Sequence, residues 1–205
     1  MRIRFLTWTQ VLLILGFSLL LVACGDDDDD TPAEETDPVT LVRQGWSAFE
    51  SLNYLEALDL FDQALSKGEP SSDAYSGAGW TTYEMGDLAA ARDYWESGLT
   101  VDSESFDIRA GMAFLEFHQE NYSASVALIA ELLVDNSNYQ FVHMPGLNFR
   151  DLQITKALAY YMQGMMDEAL LAVQALNPLF DADVQTPNGV AELIDEIERL
   201  ADVYR

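Results

Sequence analysis

From residue 41 to residue 100 the apolar positions fall into two matching sets, 34 residues apart. Gly45, Trp46, Phe49, Tyr54, Ala57, Phe61, Ala64 and Leu65 return as Gly79, Trp80, Tyr83, Leu88, Ala91, Trp95, Gly98 and Leu99. That period suits a two-helix unit stacked against copies of itself. In the first unit the spacing predicts helices over about 40–52 and 54–67, the second stopped by Lys67-Gly68 with Pro70 beyond. Ser71-Ser72-Asp73 offers capping oxygens to the next unit, whose two helices meet at Met85-Gly86-Asp87. A third, degenerate unit carries Phe114, Phe117, Tyr122, Ile129 and Leu133 at the same offset, with its turn at Glu120-Asn121. In a fourth, Gly164 and Ala169 repeat the Gly86–Ala91 step ten residues late, which places an insertion near 136–148 and helices over 150–163 and 166–176.

Thr186-Pro187 then reads as a cap followed by a first-turn proline. Val190, Leu193, Ile194, Ile197, Leu200, Ala201 and Tyr204 recur at helical spacing beyond it, while Glu192, Asp195, Glu196, Glu198 and Asp202 take the other face. A stack of repeats needs such an end piece, apolar inside and polar outside.

The order within each unit is a glycine, an alanine 12 residues on, an aromatic 4 further and a small residue 3 further. It resembles the tetratricopeptide repeat (TPR), with Gly98 where alanine is usual and Ser103 where proline usually closes the unit. The resemblance implies an all-α solenoid of helical hairpins over residues 39–205, about four repeats plus a C-terminal capping helix. In that family the residue after the glycine position and the one three further on line a concave, ligand-binding groove. Carried onto this chain, the pairs are Trp46 and Phe49, Trp80 and Tyr83, Phe114 and Phe117, and Leu158 and Tyr161, flanked by Glu50, Glu84 and His118. The residues themselves leave a second reading open, that these aromatics pack between repeats or beneath the insertion. The insertion has two readings as well. Tyr139, Phe141, Met144, Leu147 and Phe149 either cover the groove or an edge as packing, or form a lid or partner-contact loop, with His143 an ordinary loop histidine.

Ahead of the repeats, Arg2 and Arg4 precede an apolar run over 11–23 that ends at Leu21-Val22-Ala23-Cys24. A basic start with a short apolar core ending at small residues reads as a secretory signal over 1–23. The last four residues resemble the lipobox of bacterial lipoproteins, which implies acylation of Cys24, the only cysteine of the chain. Acyl chains add roughly 0.8 kcal/mol per buried CH2, enough in combination to hold a protein on a bilayer. Residues 24–38, with Asp26 to Asp30, Pro32 and Pro38, read as an acidic, disordered tether. The aspartates are either a solvated spacer or, by resemblance to certain surface lipoproteins, an export signal.

Charge narrows the partners. The chain carries a net −25, and −27 without Arg2 and Arg4. Such a surface repels nucleic acid and anionic headgroups. No glycine-rich phosphate loop, HExxH or GxSxG occurs, and the two histidines, His118 and His143, have no cysteine near them. The sequence therefore reads as a non-enzyme without cofactor or metal: a lipid-anchored adaptor of the bacterial cell envelope, at the outer membrane or cell surface, that binds an envelope protein or peptide in its groove. The alternative is a surface lipoprotein that stacks a glycan or small ligand on the aromatic ladder. Self-association is left open.

Overall fold

A computed structural model of the chain describes residues 37–203; the signal segment, Cys24 and the aspartate run lie outside the described residues. Within them nine α-helices succeed one another: α1 (Pro38–Glu50), α2 (Tyr54–Lys67), α3 (Ser72–Glu84), α4 (Leu88–Val101), α5 (Phe106–His118), α6 (Tyr122–Asp135), α7 (Phe149–Met162), α8 (Met166–Gln174) and α9 (Pro187–Val203). They pair as four hairpins, α1 with α2 through α7 with α8, and α9 packs on α7 and α8 to close the stack. The architecture is the all-α, TPR-like solenoid with its capping helix.

Each hairpin turns in the same way. Leu52, Gly86, Glu120 and Gly164 all adopt positive φ, between 62° and 83°. The amide of each bonds the carbonyl three residues back, and the next amide bonds the carbonyl five back, as in Asp87 N to Thr82 O at 2.9 Å. This Schellman pairing satisfies the last carbonyls of the first helix and points the chain straight into the second. Glycine fills the left-handed position without cost; Leu52 and Glu120 adopt it against a steric penalty of about 1–2 kcal/mol.

The hairpins hold each other by a ring-in-glycine packing that also repeats every 34 residues. Phe61 of α2 lies against Gly45 of its own repeat and Gly77 of the next; Trp95 of α4 lies against Gly79 and Gly111 in the same way. A methyl group at any of the four glycines would overlap the ring. The glycines are thus where two neighbouring first helices come close enough to clasp one aromatic ring. Both rings are fully buried. One apolar cluster runs from α1 through α6 into Leu152, and a second joins α7, α8 and α9.

Two expectations need correction. The first helix begins at Pro38, inside the stretch assigned to the tether. Asp37 caps it, its carboxylate accepting from Thr40 N at 3.0 Å, and proline suits a first turn whose N–H would have no helical partner. In α9, Glu196 is not on the solvent face with its acidic neighbours. It is buried, accepting from Asn177 Nδ2 at 2.8 Å and from Arg199 at 2.6 and 2.7 Å, and so ties the loop after α8 to the capping helix.

Candidate functional site

The first helices α1, α3 and α5 present one shared face, because every repeat sets its indole or phenyl at the same turn. Trp46 Nε1 donates to Asp73 Oδ1 at 2.8 Å, and one period later Trp80 Nε1 donates to the carbonyl of Asp107 at 3.2 Å. Each tryptophan is therefore fixed by the first turn of the following first helix, which gives the face its regular spacing.

That face is occupied by the chain's own insertion. Residues 136–148, hereafter the strap, leave α6 and double back, with an antiparallel bridge between Gln140 and Asn148. Two backbone bonds are internal to the strap, Phe141 N to Leu147 O (2.9 Å) and Leu147 N to Met144 O (2.8 Å), and a third closes its base from the first residue of α7, Phe149 N to Tyr139 O (2.8 Å). Its side chains alternate. Tyr139 and Phe141 are buried and His143 is half-buried, whereas Gln140 and Val142 face outward. This two-residue period is that of an extended segment with one docked face. Tyr139 Oη donates to Asp107 Oδ1 at 2.9 Å. Phe141 stacks on Trp80 with centroids 4.9 Å apart and meets Trp46 edge-on at 5.8 Å. His143 lies flat on Trp46, 3.8 Å between centroids and 2° between planes, with Nδ1 2.8 Å from Glu50 Oε1.

The surroundings are acidic. Burial pushes the Asp107 carboxyl above the usual carboxylate range, opposed by the bond from Tyr139 and by His143. Burial and Asp107 together raise the Tyr139 phenol. Beside the strap, burial and then Glu84 push Tyr83 up to about 12, and partial burial raises Glu84 itself. Beyond His143 a cleft of about 630 Å3 opens between α1 and the start of α3, walled by Trp46, Glu50, Arg43 and Asp73.

The candidate groove residues thus divide. Trp46, Phe49 and Trp80 are 4%, 3% and 1% exposed, so the first two rungs are not an open ladder: Phe141 and His143 cover them. Tyr83, Phe114 and Phe117 are half-buried, and Glu50, Glu84 and His118 are exposed. Phe114 touches Trp80, and His118 meets Tyr83 edge-on at 5.6 Å. Leu158 and Tyr161 lie against the second cluster, with α7 to α9, away from the strap. Sugar stacking needs a free ring face, and those of Trp46 and Trp80 turned toward the strap are covered. Sequence reading missed Asp73, Asp107 and the stacked His143; the alternation Tyr139-x-Phe141-x-His143 was the available signal. Among the described residues no group of three or more His, Cys, Asp or Glu is placed to hold a metal ion, and no helix is long and apolar enough to cross a membrane.

No family model matches the chain, and no curated protein matches it in sequence. Solved structures do resemble it. MamA superposes with a TM-score of 0.56 at 15% identity, over 83% of this chain and 84% of that one. The thermophilic TPR protein TTC0263 of Thermus thermophilus gives 0.57 at 15%, over 82% and 89%. YrrB, described as a TPR protein with an unusual peptide-binding site, gives 0.53 at 15%, over 67% and 66%. At such identity the likeness is one of fold.

Proposed function

We propose that the chain is a protein-interaction scaffold whose recognition surface is the shared face of α1, α3 and α5. The observation that carries this is the regular build of that face: indoles held in register by the next helix beneath the strap, with Glu50, Glu84 and His118 exposed beside them. Where it is not covered by the strap, a repeated surface of this kind is pre-formed, which lowers the conformational cost of docking an extended or helical peptide. The fold shared with TPR proteins, one of them described by its peptide-binding site, supports a protein partner. Acylation of Cys24, with residues 25–36 as the tether, would hold the scaffold at an envelope membrane; the lipobox-like Leu21–Cys24 supports that part.

Cross-linking and co-purification from the native envelope test the face. Glu84→Lys with His118→Glu alters exposed positions only, so the fold should persist while a defined partner is lost. Recovery of the same partner by both proteins would remove the face from consideration. For the anchor, mass spectrometry of the N-terminal peptide should find acyl mass on Cys24, and Cys24→Ser should release the chain from membranes; an unmodified Cys24 would sink that part alone.

A further inference from the structure

The strap reaches back from between α6 and α7 to α1, and its closest contacts with the recognition face come from three side chains at alternate positions, with Met144 and Leu147 half-buried against the same core. Tyr139 ends on Asp107, Phe141 fills the gap between Trp46 and Trp80, and His143 lies on Trp46 beside Glu50. An extended segment read at every second residue is how a groove reads a peptide. The strap's backbone bonds to the helices only near its ends, Asn136 to α6, and Asn148 and the Tyr139 carbonyl to α7; from Phe141 to Leu147 the backbone bonds close within the hairpin, so that part can lift away without opening an intrahelical bond.

We propose that the strap is a built-in stand-in for the ligand, and that the partner is an extended peptide of the pattern aromatic-x-aromatic-x-cation that displaces it. The chemistry of each subsite sets the pattern. The Asp107 carboxylate accepts a hydroxyl, so tyrosine fits first. The slot between two indoles takes a flat apolar ring second. The third place lies over the Trp46 ring with Glu50 at hand and Asp73 bonded to the same indole, and it suits arginine or lysine better than histidine. The inference rests on the reading of this face as a protein-binding surface, and it makes the strap a competitor that lowers apparent affinity by the fraction of time it is seated.

The probe is a labelled synthetic peptide with the sequence of residues 138–148, and a second in which arginine replaces the histidine. Both are titrated by fluorescence anisotropy into the full chain and into its Phe141→Ala variant. Phe141→Ala should bind the first peptide at least about tenfold tighter than the unaltered chain, and the arginine peptide tighter still. Equal binding by both chains would overturn the proposal, as would release of the strap that leads to exchange between two copies, seen as dimers. Partner capture unaffected by Phe141→Ala would make the strap a fixed wall and leave the scaffold reading standing. Failure of the released face to bind any peptide or partner would remove both. If Phe141→Ala does not fold, hydrogen exchange on the unaltered chain decides. The amides of Phe141, Leu147 and Phe149 should exchange well before those of α3, and exchange only with global unfolding would overturn the proposal.

Discussion

At the scale of single residues, position 86 shows how backbone geometry alone can matter. Gly86 has φ +83° and nothing within 4 Å of where a Cβ would stand, so Gly86→Ala meets no neighbour and bears only the left-handed penalty. Urea denaturation should find the variant less stable by about 1–2 kcal/mol. Gly146, in equally open space but without positive φ, is the control, and Gly146→Ala should leave stability unchanged or raise it by up to about 1 kcal/mol, because alanine restricts the unfolded chain. The same logic marks Leu52 and Glu120, which occupy the matching turns without being glycine. Trp95 differs from its counterparts: among the described residues its buried Nε1 has no hydrogen-bond partner, whereas Trp46 and Trp80 each donate to the next first helix.

Between elements, the ring-in-glycine packing sets how closely successive hairpins approach. Gly111→Ala brings a methyl into the Trp95 ring, held rigidly between α3 and α5. Overpacking of this kind costs about 1–3 kcal/mol, which exceeds the roughly 1 kcal/mol that alanine gains in helix propensity. Chemical denaturation should therefore show Gly111→Ala destabilised. Combined with Trp95→Leu, the loss should fall short of the sum of the two single losses, since the smaller side chain makes room for the methyl. Strict additivity would mean that the ring and the glycine are not the contact that matters. The polar ties between elements follow the same neighbour-to-neighbour logic: Arg92 of α4 bonds Glu116 of α5 at 2.7 Å, and Arg109 of α5 bonds Asp135 at the end of α6 at 3.0 Å.

For the whole molecule, charge governs. Ten basic residues stand against 35 acidic ones, and Arg92, Arg109 and Arg199 are each paired with a carboxylate, which leaves a large excess of negative charge. Self-repulsion follows, and it is screened by salt. The raised carboxyls act in the same direction. Asp107, Glu84 and Asp151 are all held above their ordinary values, with burial the largest cause. The folded state therefore holds their protons more tightly than the unfolded chain. Their contribution is full below the ordinary carboxylate range and is lost as pH rises through the raised values. Asp37 and Glu196, lowered by their hydrogen bonds, work oppositely, but only at more acidic pH. The thermal midpoint should thus rise as the pH is lowered from neutrality toward the ordinary carboxylate range, and Asp107→Asn, which keeps an acceptor for Tyr139, should weaken that dependence. Circular dichroism melts across the range measure both, and a midpoint that falls over this interval would contradict the assignment.

What the chain determined by itself is the repeat. Helix periodicity, the 34-residue spacing, the turn glycines and the cap signals are local properties, because each repeat touches only its neighbours and writes those contacts at fixed offsets. The four hairpins, the insertion and the capping helix were legible for that reason. Even the start of α1 at Asp37-Pro38 was a local signal, outweighed by the acidic, proline-bearing stretch before it. The candidate site was legible only in part. Trp46, Trp80, Glu50 and Glu84 could be assigned to one face, but whether that face is open depends on where residues 136–148 go. His143 lies 93 positions from Glu50, its hydrogen-bonding partner, and no period relates them. Likewise, the burial of Glu196 depends on Asn177 arriving from the preceding loop. Contacts between an aperiodic segment and a distant surface are settled by shape and solvation in the assembled fold, and only the tertiary structure decided them.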